Sequence, residues 1–119
     1  MSEHDFQVAY FDWIKWQRNR DPIYDLIFAV PNSASRSYKT ANYFSKEGLT
    51  RGVPDVLGLI YNRMFHGFAI EFKFEKGKLK PDQVAWRDRL IANGWSYCLA
   101  YNADTAIKFT KDYLTNRCI

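Results

Sequence analysis

The stretch Gly67-Phe68-Ala69-Ile70-Glu71-Phe72-Lys73-Phe74-Glu75 decides the fold. From residue 68 to 75 the side chains alternate with the two-residue repeat of a β-strand. Phe68, Ile70, Phe72 and Phe74 point one way; Ala69, Glu71, Lys73 and Glu75 point the other. Four large hydrophobes require a covered face. The opposite face carries a Glu and a Lys about 7 Å apart along the strand. In a sheet covered on both faces, such charges are costly unless paired or bound to something. The stretch therefore reads as an inner strand with a chemical purpose.

Working outward, Asp55 to Ile60 is an apolar run that begins directly after Pro54. Residues 61–66 form a polar turn, so the two runs can pair as a hairpin that sets Asp55 across from Glu71 and Lys73. Downstream, Glu75 to Lys80 is a basic loop around Gly77. Pro81 suits the first position of a helix that runs to Asn93, with Gly94 as its stop. Trp95 to Tyr101 is a further strand, and Ala103 to Asn116 a closing helix. Upstream, Ser2 and Asp5 read as an N-cap, and Phe6, Tyr10, Trp13 and Ile14 recur at helical spacing, which predicts a helix over roughly residues 3–19. Asp21-Pro22 ends it. Leu26 to Val30 is a short strand closed by Pro31-Asn32. Residues 33–52 are polar, a loop with a short helix around 37–47, punctuated by Gly48 and Gly52. The expectation is one α/β domain over residues 1–119, with a small mixed four-stranded central sheet flanked by helices on both faces.

Bulk properties exclude several classes. A chain of 119 residues with 47% hydrophobic and 25% charged content needs no disulfide or metal staple to fold. Cys98 and Cys118 lie in no disulfide or zinc pattern. The polar, acidic first residues are unlike a signal peptide, and no apolar run approaches membrane-spanning length. The expected location is cytoplasmic. The net charge of +4 is modest, but its distribution is not even. Arg36, Lys39, Lys46 and Arg51 cluster in one segment; Lys73, Lys76, Lys78 and Lys80 cluster in another. If the two converge, they form a surface that can follow phosphates; if not, they are solvated loops. Arg36, Lys39, Arg51, Lys76 and Lys78 are the candidate DNA contacts, and Arg87 can reach the same side.

Asp55, Glu71 and Lys73 suit hard-cation chemistry. Mg²⁺ takes one or two carboxylates and fills its shell with water and substrate phosphate. Asp55 and Glu71 supply carboxylates, and the Phe72 backbone carbonyl a further oxygen. Lys73 offsets the negative charge that grows on a phosphate under attack. Taken singly, Glu-x-Lys is a common strand ion pair and Pro-Asp a common turn; strand placement and the hairpin set the combination apart.

The order Pro54-Asp55, then Glu71-x-Lys73, resembles the PD-(D/E)XK nuclease superfamily. Gly52-Val53-Pro54-Asp55, Ile70-Glu71-Phe72-Lys73, a Gly-containing loop, then Pro81-Asp82-Gln83 and Trp86 resemble its VRR-Nuc branch, and Pro31-Asn32 fits ahead of them. The resemblance covers nearly the whole chain, about the size of a minimal stand-alone member from bacteria or phages. It implies a restriction-endonuclease-like fold and cleavage of DNA, often branched, with Mg²⁺ or Mn²⁺, in a bacterial or phage-infected cell. By the same resemblance Asp55 and Glu71 are metal ligands, Lys73 is the catalytic lysine and Gln83 supports the site. The family's acid on the first helix corresponds to Glu3, with Gln7 one turn later; Glu3 reads equally as an acid favoured by a helix N-terminus. Lys80 departs from the Ser or Thr the family often places there as a cap.

Stand-alone members look like dimers that cut four-way junctions, which implies a homodimeric Holliday-junction resolvase. The aromatic excess on the first helix (Tyr10, Phe11, Trp13, Trp16) fits a self-association surface. Trp13, Trp16, Trp86 and Trp95 otherwise read as mostly core, His66 as a solvated turn residue, and His4 as a surface residue close to Glu3. The rival readings are a monomeric flap or nicking nuclease, and a non-catalytic DNA-binding module on the same fold.

Overall fold

Ser2 opens the first element: its hydroxyl accepts the Asp5 N–H at 3.3 Å and caps helix α1, Glu3–Arg18. The computed structural model describes residues 1–31 and 46–117. Phe6, Tyr10 and Ile14, each four residues on from the last, are the buried stripe of α1. The sequence places a plain chain break at Asp21-Pro22, whereas the structure has a short 3-10 helix, Pro22–Leu26. Asp21 makes it: its carboxylate accepts the Ile23 N–H at 3.0 Å, and Pro22 supplies a preset φ.

The remaining elements follow in the expected order. They are β1 (Ile27–Ala29), β2 (Val56–Gly58), β3 (Phe68–Phe72), α2 (Pro81–Ala92), β4 (Ser96–Ala100) and α3 (Ala103–Thr115). The four strands form one mixed sheet in the order β1-β2-β3-β4. β1 and β2 pair antiparallel, β2 and β3 pair antiparallel, and β3 and β4 pair parallel through the α2 crossover. Each strand is shorter than its apolar run, although the ladder continues one bond further: Leu59 N–H to Leu26 O at 3.0 Å, and Lys73 N–H to Ala100 O at 3.0 Å. β3 stops short because Glu75 takes a left-handed φ of 51° and Gly77 N–H closes a turn onto Phe74 O. The helix expected around residues 37–47 lies almost wholly outside the described residues.

One face of the sheet carries the core. Phe68, Ile70 and Phe72 of β3 pack with Ile27 and Val56 against α1 and α3. The Phe68 ring meets Phe109 and Tyr113 at centroid distances of 5.7 and 4.9 Å. Tyr10 crosses from α1 to α3, where its hydroxyl lies 2.8 Å from Thr110 Oγ1. Thr110 spends its own proton on the Ala106 carbonyl, so Tyr10 is the donor.

The other face is covered unevenly, which corrects the expectation of a sheet closed on both sides. All five residues of β3 are buried. At β1 the outward Phe28 is 39% exposed, its β2 partner Leu57 is half-buried, and Leu59, just past β2, is 51% exposed. Trp16 also departs from a core reading, at 69% exposed, because the buried stripe of α1 follows Phe6, Tyr10 and Ile14 and leaves it outside.

Gly58 faces the Phe68 ring, and a β-carbon there would overlap it. Gly58→Ala should therefore destabilise the fold by about 1–3 kcal/mol, the usual cost of overpacking a fixed core. Urea denaturation of the variant beside the parent chain measures this.

Candidate active site

The hairpin does bring Asp55 to Glu71. Val56 pairs with Ile70, so one step further along the antiparallel ladder sets Asp55 opposite Glu71. Asp55 is held there twice. Its carbonyl accepts the Val30 N–H at 2.8 Å, and its side-chain Oδ2 accepts the Phe72 N–H at 2.8 Å. The preceding residues explain the approach. Pro54 is fully buried, and Gly52 has a φ of +86° with the Asp82 backbone so close that a β-carbon would stand 2.7 Å from it. Only glycine fits both demands. This contact brings the Arg51 end of one basic segment toward the Lys80 end of the other, since Arg51 adjoins Gly52 and Lys80 sits two residues before Asp82. Arg51, Lys76 and Lys78 are exposed and Arg87 is half-buried. Arg36 and Lys39, the other expected DNA contacts, lie outside the described residues.

Glu71 and Lys73 are withdrawn from solvent, at 3% and 6% exposure. Burial first, and then the Asp55 carboxylate that hydrogen-bonds its protonated form, push the Glu71 carboxyl up to about 9; the Lys73 charge acts in the opposite sense and does not prevail. Among the described residues Lys73 makes no ion pair. Gly77 packs against its aliphatic stem, with a β-carbon there 3.6 Å from Lys73 Cβ and Cδ.

Glu3 reaches the same place from α1. Its Oε2 accepts the Phe74 N–H at 3.3 Å, and its charge is among those acting on Glu71. Glu3, His4, Gln7 and Asp55 line one cleft of about 590 Å³ together with Ala29, Val30 and Pro31. His4 is therefore a surface residue that also faces the cleft. Phe72 meets Asp55 through its amide N–H rather than through the carbonyl proposed as a ligand. Gln83 is engaged elsewhere: its Oε1 accepts the Lys80 N–H at 2.8 Å. Gln83 thereby makes its own half of a capping box, whereas the Lys80 ammonium, which cannot accept, leaves the other half unmade.

The donor set suits a divalent cation in one respect and falls short in another. Two acidic side chains face each other in a buried site, and the resulting penalty on Glu71 is what a cation between them would relieve. Among the described residues, however, no three His, Cys, Asp or Glu side chains are gathered closely enough to hold an ion by themselves. A Mg²⁺-type shell, with one or two carboxylates and the rest water and phosphate, fits; an all-protein cage does not.

Tyr97 is a residue that the sequence reading missed. Its position beside this site depends on the parallel register of β4 against β3, which no local pattern encodes.

A family model described as the VRR-NUC domain matches residues 2–104. A solved structure titled "VRR_NUC domain protein" superposes with a TM-score of 0.80 at 22% identity, over 98% of this chain and 91% of that one. No curated protein matches the chain.

The raised Glu71 carboxyl has a consequence for stability. Between its ordinary 4.5 and about 9, the folded protein keeps a proton that the unfolded chain releases. The contribution of this group to stability must then fall as pH rises through that window. In chelator, denaturation at pH 5 and pH 8.5 should show this decline, and Glu71→Gln, which cannot ionise, should remove most of it.

Proposed function

We propose that this chain, which belongs to the VRR-NUC domain family, is a divalent-cation-dependent endonuclease that hydrolyses phosphodiester bonds of DNA. The family's function is nuclease-type DNA processing. The observation that carries the reading to this chain is the buried acid pair of Asp55 and Glu71 with Lys73 on the same strand. A module that only bound DNA would gain nothing by holding these charges inside a sheet.

Asp55 and Glu71 would hold the cation, with the Phe72 carbonyl as a further oxygen and Glu3 at the margin from α1. Bound Mg²⁺, or Mn²⁺ in its place, supplies polarisation of the scissile phosphate. The protein residues do the rest. Asp55, pinned by its bond to the Phe72 N–H, keeps the acid pair in place. Lys73 offsets the charge that accumulates on the phosphate and orients the attacking water. Gln83 holds the first turn of α2 through Lys80, so it acts on the site by positioning. Arg51, Lys76, Lys78 and Arg87, together with Arg36 and Lys39, track the DNA backbone and fix its register over the cleft.

The finer reading is a homodimer that cuts branched DNA, with the four-way junction as preferred substrate. Two sites related by two-fold symmetry match the two cuts such a junction requires. Exposed Trp16 on α1, and Phe28 and Leu59 on the open part of the sheet, offer apolar surface for a second copy.

Cleavage of a four-way junction, a flap and a linear duplex, each with Mg²⁺ and with chelator, tests the proposal. Cutting should need the cation and favour the junction. Preference for the flap would support a monomeric flap or nicking enzyme, and binding without any cutting would support a DNA-binding module. Lys73→Ala should lower the cleavage rate by about 10²–10³ while DNA binding persists. Light scattering should give twice the chain mass, and a monomer at micromolar concentration would count against the resolvase form.

A further inference from the structure

Tyr97 stands on β4 in register with Ala69 of β3. Its side chain therefore shares the sheet face that carries Glu71 and Lys73. With strands about 4.8 Å apart and a rise of about 3.3 Å per residue, the Tyr97 and Glu71 Cα atoms are about 8 Å apart. Both side chains stand out from that face, and a lean along the strand can shorten the gap between their ends.

The Tyr97 hydroxyl is buried and finds no hydrogen-bond partner among the described residues. Among the described residues, the hydroxyls of buried Tyr10, Thr110 and Tyr113 are all engaged. Tyr10 meets Thr110, Thr110 meets the Ala106 carbonyl, and Tyr113 meets the Ile60 carbonyl. A buried hydroxyl left unpaired costs stability, and native folds seldom keep one without a use. The register locates that use, on the face that carries Glu71 and Lys73. After burial itself, the Glu71 charge is the largest influence raising the phenol pKa, Asp55 acts in the same sense, and Arg87 from α2 opposes them. A phenol hydroxyl can donate, and this one lies on the sheet face of the acid pair with no acceptor among the described residues.

We propose that Tyr97 is a positioning residue of the cation centre, its hydroxyl donating to the Glu71 carboxylate when the centre is loaded and fixing that ligand's orientation. Carboxylates that ligate metals are themselves held by an outer hydrogen bond, and losing such a partner typically weakens binding about 10–100-fold. The inference rests on the reading of Asp55 and Glu71 as cation ligands.

Tyr97→Phe removes the hydroxyl and keeps the ring. Two measurements on the full chain separate positioning from packing: calorimetric titration with Mn²⁺, and thermal unfolding in chelator. The variant should bind Mn²⁺ about tenfold more weakly. Its melting temperature in chelator should be unchanged or higher, because an unpaired buried group has gone. Wild-type affinity in Tyr97→Phe overturns the proposal and leaves the hydroxyl as one satisfied by water. A lower melting temperature in chelator also overturns it, since the hydroxyl would then be a structural bond. If the parent chain itself takes up no Mn²⁺, the cation-centre reading fails and this proposal fails with it; that outcome is distinct because it appears before any substitution is made.

Discussion

The bond from the Phe72 N–H to the Asp55 carboxylate is the constraint on which the rest of the site depends. Asp55 stands one residue before β2, yet it holds three strands at once. Its carbonyl takes the Val30 N–H beyond β1, and its side chain takes an N–H of β3. On the far side of β3, the Lys73 N–H continues the ladder to Ala100 of β4. All four strands are thus tied at one end of the sheet, where the charged side chains lie. A carboxylate used as a substitute for a ladder carbonyl puts a negative charge beside Glu71, which burial alone already disfavours as an ion. The interaction that sets the strand ends thus also creates the unmet demand for positive charge.

Helix α1 couples this end of the sheet to the core. Phe6, Tyr10 and Ile14 lock it onto β3 and α3, with Tyr10 reaching Phe72 at 6.0 Å between ring centroids and Thr110 through its hydroxyl. The same helix begins at the cleft, where Glu3 takes the Phe74 N–H and Gln7 lines the wall. A rigid helix fixed by three buried residues leaves its first turn little freedom. Gly52 does a similar service for α2, whose first turn can approach the Pro54-Asp55 segment only because no side chain intervenes.

Much of this was legible in the chain itself. The period-two alternation over 68–75 marked β3, the 3.6-residue spacing of Phe6, Tyr10 and Ile14 marked α1, and the polar turn at 61–66 predicted the pairing that sets Asp55 against Glu71. The pattern failed where long-range packing decides. The sequence could not show that the sheet's second face is covered at β3 and open at β1 and just past β2, because Phe28 and Leu59 look as apolar as any core residue. The partner of Gln83, the Lys80 backbone at the start of α2, is likewise a contact that the pattern does not specify. The 3-10 helix at Pro22–Leu26 is a local feature that was passed over, although Asp21 and Pro22 carry its signal.

By itself, the sequence determined the order of the four strands and of the three α-helices among the described residues, the mixed sheet, and the identity of the charged residues that packing cannot account for. Periodicity, capping and turn chemistry act between residues near in the chain, so they can be read along it. Only the tertiary structure decided which groups face one another: Asp55 on the Phe72 amide, Glu3 on Phe74, Gly52 against Asp82, and Tyr97 on the sheet face of Glu71 and Lys73. Those contacts follow from strand register and helix docking, which are set by shape and burial across the whole core rather than by any local pattern.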